Sequence, residues 1–535
     1  MTPQADQIPI KTRLIFLALL VIMFFLYRYP HSMQKGPYSI HMWRQTDCLS
    51  WTKNYLEEGF HFFKPTVHWS LANNNDKTVG EFPVIFYLVS LLWSVFGQHE
   101  IIFRIVNLLI VFLGLYYVFR FTYDVTSDSF WSLFTPVLLF TSPVLVYYSN
   151  NFIVNAPSFG LALIALYQYW KYIQKGKVKH LYISSLIFLV AGLLKVPAFI
   201  SFVAIAFIQF LSQFQYFRST LKIKRIGNSI HFLPVIGVFV VFLVWVLWAR
   251  QYNNENITGL FVLGIRPIWK VDDIYHALYF GTQLHTLLSP SFFNPTAMAI
   301  ILSLFVWLLI KYNRTDRFLT ILTLITSIGA LFYMAVFFQG FTVHDYYLTN
   351  LLIMIPLIVI TFLHYLKSNR ISIFYSKAFR GLAIAGLILL IYNAMVLQRA
   401  KYDMGDTFVK HTVLLDDNQK NFWRSLHNEY RDRYEALSTI TPYLRELGIE
   451  RKDHVISVPD PSPNITLYLM DQKGCTEYGL FNPDGSDRIG DYFETGTRYL
   501  IVNDPGYLNK EFLRPYIDNK IGQYKNVNIF KLTLP

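Results

Sequence analysis

Apolar runs of roughly 14–22 residues, with almost no charge inside them, recur along this chain, and most are long enough to cross a hydrocarbon core about 30 Å thick. The stretches 101–119 and 232–248 are two of them. A chain of 535 residues that is 53% hydrophobic and only 15% charged does not have the mixture of a water-soluble globule, in which about a quarter of residues are charged. Lipid is the solvent that suits it. Tyr and Trp crowd the ends of the runs, as interfacial aromatic belts do. The expected spans are 13–28, 101–120, 130–148, 156–173, 181–194, 196–212, 231–249, 296–311, 318–338, 347–366 and 379–397, about eleven transmembrane helices in all. The first run follows Lys11 and Arg13 and is not followed by a small-residue cleavage site, so it reads as an uncleaved span.

One further apolar segment, 82–97, decides the topology. If it crossed the membrane, the basic clusters at 171–179, 218–225, 311–317 and 367–380 would all lie outside, against the positive-inside rule. As an amphipathic juxtamembrane helix, short and opened by Pro83, it puts all four clusters inside together with Lys11 and Arg13. Residues 29–100, 149–155, 250–295, 339–346 and everything after about 398 then share the outer face, which in a bacterium is the periplasm and in a eukaryote the lumen of the secretory pathway. The net charge of +13 is thereby a topology signal, and no nucleic-acid partner is expected. The segment 181–212, two short apolar arms around Lys195, reads either as two spans or as a re-entrant pair.

From about Gln398 charge rises and the apolar runs shorten. Strands are expected at 454–458, 498–502 and 527–532, and helices at 430–447, 465–472 and 508–520, giving an α/β domain with a mainly parallel sheet. The expected organisation is a membrane domain over 1–397, whose outer loop 29–100 carries juxtamembrane helices, and an outer α/β domain over 398–535. The plainest role for the latter is a lid or docking platform. Two cysteines, Cys48 and Cys475, are too few for a disulfide framework and read as free thiols. Asn256-Ile257-Thr258 and Asn464-Ile465-Thr466 match glycosylation acceptors, a pattern that recurs by chance.

The polar residues that stand out lie in the outer loops. Trp43-Arg44-Gln45-Thr46-Asp47 precedes an expected helix over 48–58 that ends at Gly59, so Thr46 or Asp47 either caps that helix or does chemistry. Glu81 lies where the same loop re-enters the interface. The loop 149–155 has no charged group. Lys195, an isolated ammonium among apolar residues, either snorkels or binds an anion. His344-Asp345 precedes a span, and is either a metal-binding or hydroxyl-polarising pair or an interfacial pair beside belt tyrosines. Arg266 is a further candidate phosphate partner, because guanidinium pairs well with phosphate.

Taken in order, Trp43-Arg44-Gln45-Thr46-Asp47, Gly80-Glu81-Phe82-Pro83, Phe96-Gly97 with Arg104, Ser142-Pro143 with Asn155, and His344-Asp345-Tyr346-Tyr347 resemble the GT-C membrane glycosyltransferases. The resemblance covers roughly 10–400 and is nearest to the bacterial branch that includes the lipid A aminoarabinose transferase and the protein O-mannosyltransferases. It implies a polyprenyl-phosphate-linked sugar donor, an acceptor that is a lipid, glycan or protein, and a bacterial inner-membrane location with the C-terminal domain in the periplasm. It places Asp47 at the family's first-loop catalytic aspartate and Glu81 at its second carboxylate. Lys195 and Tyr347 fall near the donor phosphate, and Arg44, Arg266 and Asn155 complete the candidate donor-binding set. Glu81 and His344 are the candidate ligands should a divalent metal take part. Two departures stand out: Phe82 occupies the place of a lysine in the aminoarabinose transferase, and Asn155 that of an aspartate.

The implied chemistry is inverting transfer. One carboxylate takes the acceptor proton as the nucleophile attacks the anomeric carbon. A lipid phosphate leaves as a stabilised anion, so cations replace the second carboxylic acid that glycosidases need. A transporter or lipid flippase is the alternative of another class, but such proteins gather binding groups near the midplane of interrupted, repeated helices, and no repeat is visible here. A non-catalytic envelope-assembly protein is a third reading, kept open by Phe82 and Asn155.

Overall fold

The computed structural model describes residues 8–256, 264–265, 267–270, 289–341 and 344–533. The chain forms two compact units, Met1–Gln34 with Phe103–Trp245 and Gly264–Asp416, and Lys35–Ile102 with Val246–Leu263 and Asp417–Pro535. The long first outer loop, from Lys35 on, groups with the C-terminal residues.

In the first unit every expected span is helical. Glu100–Thr126, Ser229–Asn256, Arg317–Val336, Asp345–Asn369 and Lys377–Ala400 are each long and apolar enough to cross a membrane, and the protein is a multi-pass integral membrane protein. Two bent pairs, Ser129–Leu139 with Pro143–Ser149 (77°) and Val196–Leu211 with Gln215–Leu221 (113°), raise that to seven among the described residues. Pro143 opens the second arm of the first pair, where its missing N–H is tolerated but would break a continuing helix. Shorter apolar helices, Val178–Leu194 and Pro295–Ile310, make up part of the remainder of the expected eleven. The helix Ile10–Leu26 leaves Leu14, Leu17, Val21, Ile22 and Phe25 exposed, as lipid contact requires and water would not permit.

One close helix crossing in this unit is made by two glycines. A Cβ on Gly114, in Glu100–Thr126, would lie 2.8 Å from both Cα and the carbonyl oxygen of Gly160, in Asn155–Lys175. A Cβ on Gly160 would lie 2.9 Å from the carbonyl oxygen of Ile110. Both clashes are with backbone, so no side-chain rotation relieves them; small residues let membrane helices approach this closely. Gly160→Val is therefore expected to destabilise the purified protein by about 1–3 kcal/mol through overpacking, seen as a lowered thermal unfolding midpoint. Gly386→Val, at a site with nothing within 4 Å, should leave the midpoint nearly unchanged.

The second unit is built on a five-stranded sheet of Val455–Val458 (β1), Gly474–Thr476 (β2), Tyr499–Val502 (β3), Lys520–Tyr524 (β4) and Val527–Lys531 (β5), in the order β2-β1-β3-β5-β4. β1 runs parallel to β2 and β3, whereas β3 with β5 and β4 with β5 are antiparallel. The sheet is thus mixed and not mainly parallel. The cause is local: the two-residue turn Lys525-Asn526 joins β4 to β5, and so short a connection permits only an antiparallel pair. The expected helix over 508–520 is instead a pair of 3₁₀ turns, Pro505–Asn509 and Glu511–Tyr516, followed directly by β4; Pro505 and Pro515 remove two amide donors that a helix would use. The stretch 430–447 is likewise broken into short turns, with an α-helix only at Thr441–Glu446.

The first outer loop is stitched to this sheet. The Ser70 amide donates to the Gly474 carbonyl (2.7 Å) and the Gly474 amide to the His68 carbonyl (3.1 Å), so residues 68–70 run beside β2 like a short sixth strand. Charges reinforce the join. Lys473 Nζ lies 2.5 Å from Asp76 and 2.6 Å from Glu58, Lys53 Nζ 2.8 Å from Asp471, and Arg451 Nε 2.9 Å from the same carboxylate. The segment that decided the topology, Val84–Phe96, is a helix of 13 residues, only about 20 Å long at 1.5 Å per residue. Its Ile85, Phe86, Val89 and Trp93 are buried, while Leu88, Leu91, Val95 and Phe96 are exposed.

Candidate active site

The helix expected from residue 48 begins at Met42 and runs to Glu57. Its flanking residue His41 has φ +58°, so neither Thr46 nor Asp47 is a cap. Twelve residues of this helix are buried, on every side of it, and a helix buried all round shows no apolar stripe from which to read its start. The longer helix matters because it puts Arg44 and Asp47 three residues apart on one face.

Asp47 is completely buried. Its Oδ2 accepts from Arg44 Nη1 at 3.1 Å and its Oδ1 from Asn464 Nδ2 at 2.8 Å. The same guanidinium donates through Nη2 to Glu81 Oε2 and lies 5.3 Å from the Trp51 ring centroid. One cation thus bridges two carboxylates. Burial pushes Asp47 up to about 6, against the opposing pull of Arg44 and the Asn464 amide, while the Glu81 charge adds to the rise. A carboxylate poised there is mainly ionised at neutral pH, yet more basic than a surface aspartate. Glu81 is only 8% exposed, and its approach is set two residues earlier: Asn253 Oδ1 accepts from the Val79 amide (2.9 Å) and Asn253 Nδ2 donates to the Val79 carbonyl (2.8 Å).

The other expected site residues group in the membrane unit around Tyr346. Asn155 Nδ2 donates to the Tyr346 carbonyl at 3.1 Å. Lys195, which ends the helix Val178–Leu194 in an extended conformation, holds its Nζ 5.9 Å from the Tyr346 ring. The His344 ring stacks on Tyr346 at 5.0 Å, and Tyr347 lies 4.7 Å from it. Beside them, the Tyr148 hydroxyl donates to Asp345 Oδ1, and Lys401 Nζ sits 4.2 Å from the Tyr147 ring. Burial lowers Lys401 to about 8, with the Asp345 charge opposing. The wholly buried Arg104 donates to the Asn150 carbonyl at 2.5 Å. Arg266 lies outside the described residues. Phe82 packs its ring against Phe62.

Glu81 is ion-paired to Arg44, and it belongs to a different compact unit from His344. Among the described residues no group of three or more His, Cys, Asp or Glu side chains is arranged to hold a metal ion.

Residues 76–248 match the family model described as dolichyl-phosphate-mannose-protein mannosyltransferase. A search of the curated proteins by sequence gave no match. Among solved structures, the crystal structure of ArnT from Cupriavidus metallidurans in the apo state aligns over 97% of this chain and 97% of its own, with a TM-score of 0.57 and 10% identity. The same protein bound to undecaprenyl phosphate aligns over the same shares at 0.58 and 12%. The fold is that of ArnT. At such identity the likeness is one of fold, and it extends over the C-terminal sheet as well as the helices.

Two residues of the Asp47 cluster were missed from sequence. In sequence Asn464 stands out only as a glycosylation match, yet its amide is buried and engaged, so it is no acceptor in the folded protein. Asn253 was one polar residue among several after a span. The only sequence signal at Asn464 is its place after Asp460-Pro461-Ser462-Pro463, a turn-forming stretch ahead of a short helix.

Proposed function

We propose that this protein is an inverting glycosyltransferase that moves a sugar from a polyprenyl-phosphate donor to a lipid, glycan or protein acceptor on the outer face of the membrane, in a bacterium the periplasmic face of the inner membrane. The observation that carries this reading is the buried Asp47, held between Arg44 and Asn464 in a chain with the GT-C fold. The relative bound to undecaprenyl phosphate supports a lipid-linked donor.

In this reading Asp47 is the base. The acceptor hydroxyl gives its proton to a carboxylate oxygen of Asp47 while its own oxygen bonds to the anomeric carbon; the bond from that carbon to the phosphate oxygen breaks, and the polyprenyl phosphate leaves with the electron pair. The leaving phosphate needs cations and donors already in place, the roles assigned to Lys195, Arg266 and Tyr347. Asn155 belongs to the same donor-binding set. Arg44 was a candidate phosphate ligand; its two carboxylate partners favour a different task, keeping Asp47 ionised at working pH.

Membranes or nanodiscs containing the full chain, supplied with radiolabelled hexosyl and pentosyl polyprenyl phosphates, test the reaction by transfer of label to lipid, glycan or protein. Failure to use any such donor would overturn it. The pH profile adds a second check. Because the working form of Asp47 is the ionised one and its pKa lies near 6, transfer should be level above about pH 7 and fall about tenfold per unit below pH 6. A rate flat down to pH 5 would remove Asp47 from the base role.

A further inference from the structure

Asn464 is 417 residues from Asp47 in the chain, yet it holds one of the two carboxylate oxygens. We propose that Asn464 is a positioning residue for the base, so that the C-terminal region completes the catalytic carboxylate and is not merely a platform beside it. The inference rests on the reading of Asp47 as the base.

The amide has no freedom to present its other end. Asn464 Oδ1 accepts from the Trp69 amide at 3.0 Å, leaving Nδ2 as the group that meets Asp47. Trp69 is itself fixed, because its neighbours His68 and Ser70 both bond to Gly474 at the edge of the sheet. On the other side, Asn464 immediately precedes the helix Ile465–Leu469, whose start is locked by a buried carboxylate. Asp460 Oδ1 accepts from the Ser462 amide (2.8 Å) and hydroxyl (2.7 Å), and Oδ2 from the Thr466 amide and hydroxyl (both 2.8 Å). Asp460, Ser462, Asn464 and Thr466 are all essentially without exposure. That much fixed geometry converges on a single N–H aimed at Asp47.

A donor to a carboxylate favours its charged form. The other charged or titratable groups facing Asp47 are Arg44 on its own helix, Glu81 from the loop ahead of Val84–Phe96, and Tyr478 from the turn after β2. None is altered by substituting Asn464, so a change in the basicity of Asp47 can be traced to the amide. Asn464→Asp keeps an oxygen for the Trp69 amide but turns an acceptor toward Asp47 Oδ1, so the two carboxyls must share a proton. Asn464→Ala removes both the donor to Asp47 and the acceptor of the Trp69 amide.

The experiment uses the full-length protein in nanodiscs, treated with dicyclohexylcarbodiimide between pH 4.5 and 9. The reagent traps protonated carboxyls, and mass spectrometry of the Asp47 peptide reads the labelling midpoint without any sugar donor. The midpoint is expected near pH 6 in the natural protein and about one unit higher in both variants. Transfer should fall about fivefold at pH 6 and about tenfold at pH 5, and recover by pH 8–9, following the same shift. An unchanged midpoint in a variant that keeps the natural thermal unfolding midpoint would overturn the proposal, as would a loss of transfer equal at every pH. Asn464→Asp carries the test alone if Asn464→Ala fails to fold. A shifted midpoint in a protein that uses no lipid-linked donor would sustain the coupling of Asn464 to Asp47 and count against the transferase reading.

Discussion

Asp47→Asn should lower sugar transfer by about 10²–10⁴-fold, the usual contribution of a positioned general base, while the protein still inserts and purifies. The substitution is nearly isosteric, and the amide can still meet Asn464 or Arg44 with its oxygen, so the scaffold has little reason to collapse. Replacing a buried carboxylate by a neutral amide also removes the cost of burying a charge, and the thermal unfolding midpoint should not fall far. Loss of transfer with retained stability is the combination that distinguishes a base from a structural aspartate. Near-normal transfer by the Asn variant would remove Asp47 from the mechanism.

Arg44→Met should be the more damaging change to the protein as a whole. Arg44 is the cation between Asp47 and Glu81, and its side chain is only 13% exposed. Its removal leaves two carboxylates in one largely buried site, a loss of about 3–5 kcal/mol when a buried pair is broken. The carboxylates can relieve this by sharing a proton, which disables the base at neutral pH. Transfer is expected to drop about 100-fold at pH 7, the acid limb to move upward, and the unfolding midpoint to fall. Arg44→Lys should recover part of the stability but not the full rate, since an ammonium cannot span both carboxylates as a planar fork does. A Met variant as stable and active as the natural protein would show that the bridging cation is dispensable.

How much of this was legible in the sequence follows from what sets each feature. Apolar runs report on solvent, and every expected span is helical in the structure. The strands at 455–458, 499–502 and 527–531 were found because β-branched and aromatic residues concentrate there. β2 was missed because it is three residues long, Gly-Cys-Thr, and gains its place from pairing rather than from propensity. Sheet direction was misjudged because the last strand pair depends on a two-residue turn with no strong glycine or asparagine-glycine signal. The helix over Met42–Glu57 started six residues early for a related reason: buried on all sides by polar and aromatic neighbours, it has no face for periodicity to reveal.

The same distinction holds for the membrane reading with which the sequence begins. Uncharged runs of sufficient length dictate helices in lipid whatever their neighbours, because every backbone polar group must be satisfied within the segment; that is a local requirement, and the sequence alone determined it. The motif order from Trp43 to Tyr347, also local, singled out Asp47. What holds Asp47 was decided only by tertiary structure. Its partners Arg44, Glu81 and Asn464 are brought together by a helix register, a loop pinned by Asn253 and a sheet edge formed more than 400 residues later in the chain. Hydrogen bonds between residues so far apart follow from packing, and no pattern along the chain encodes them.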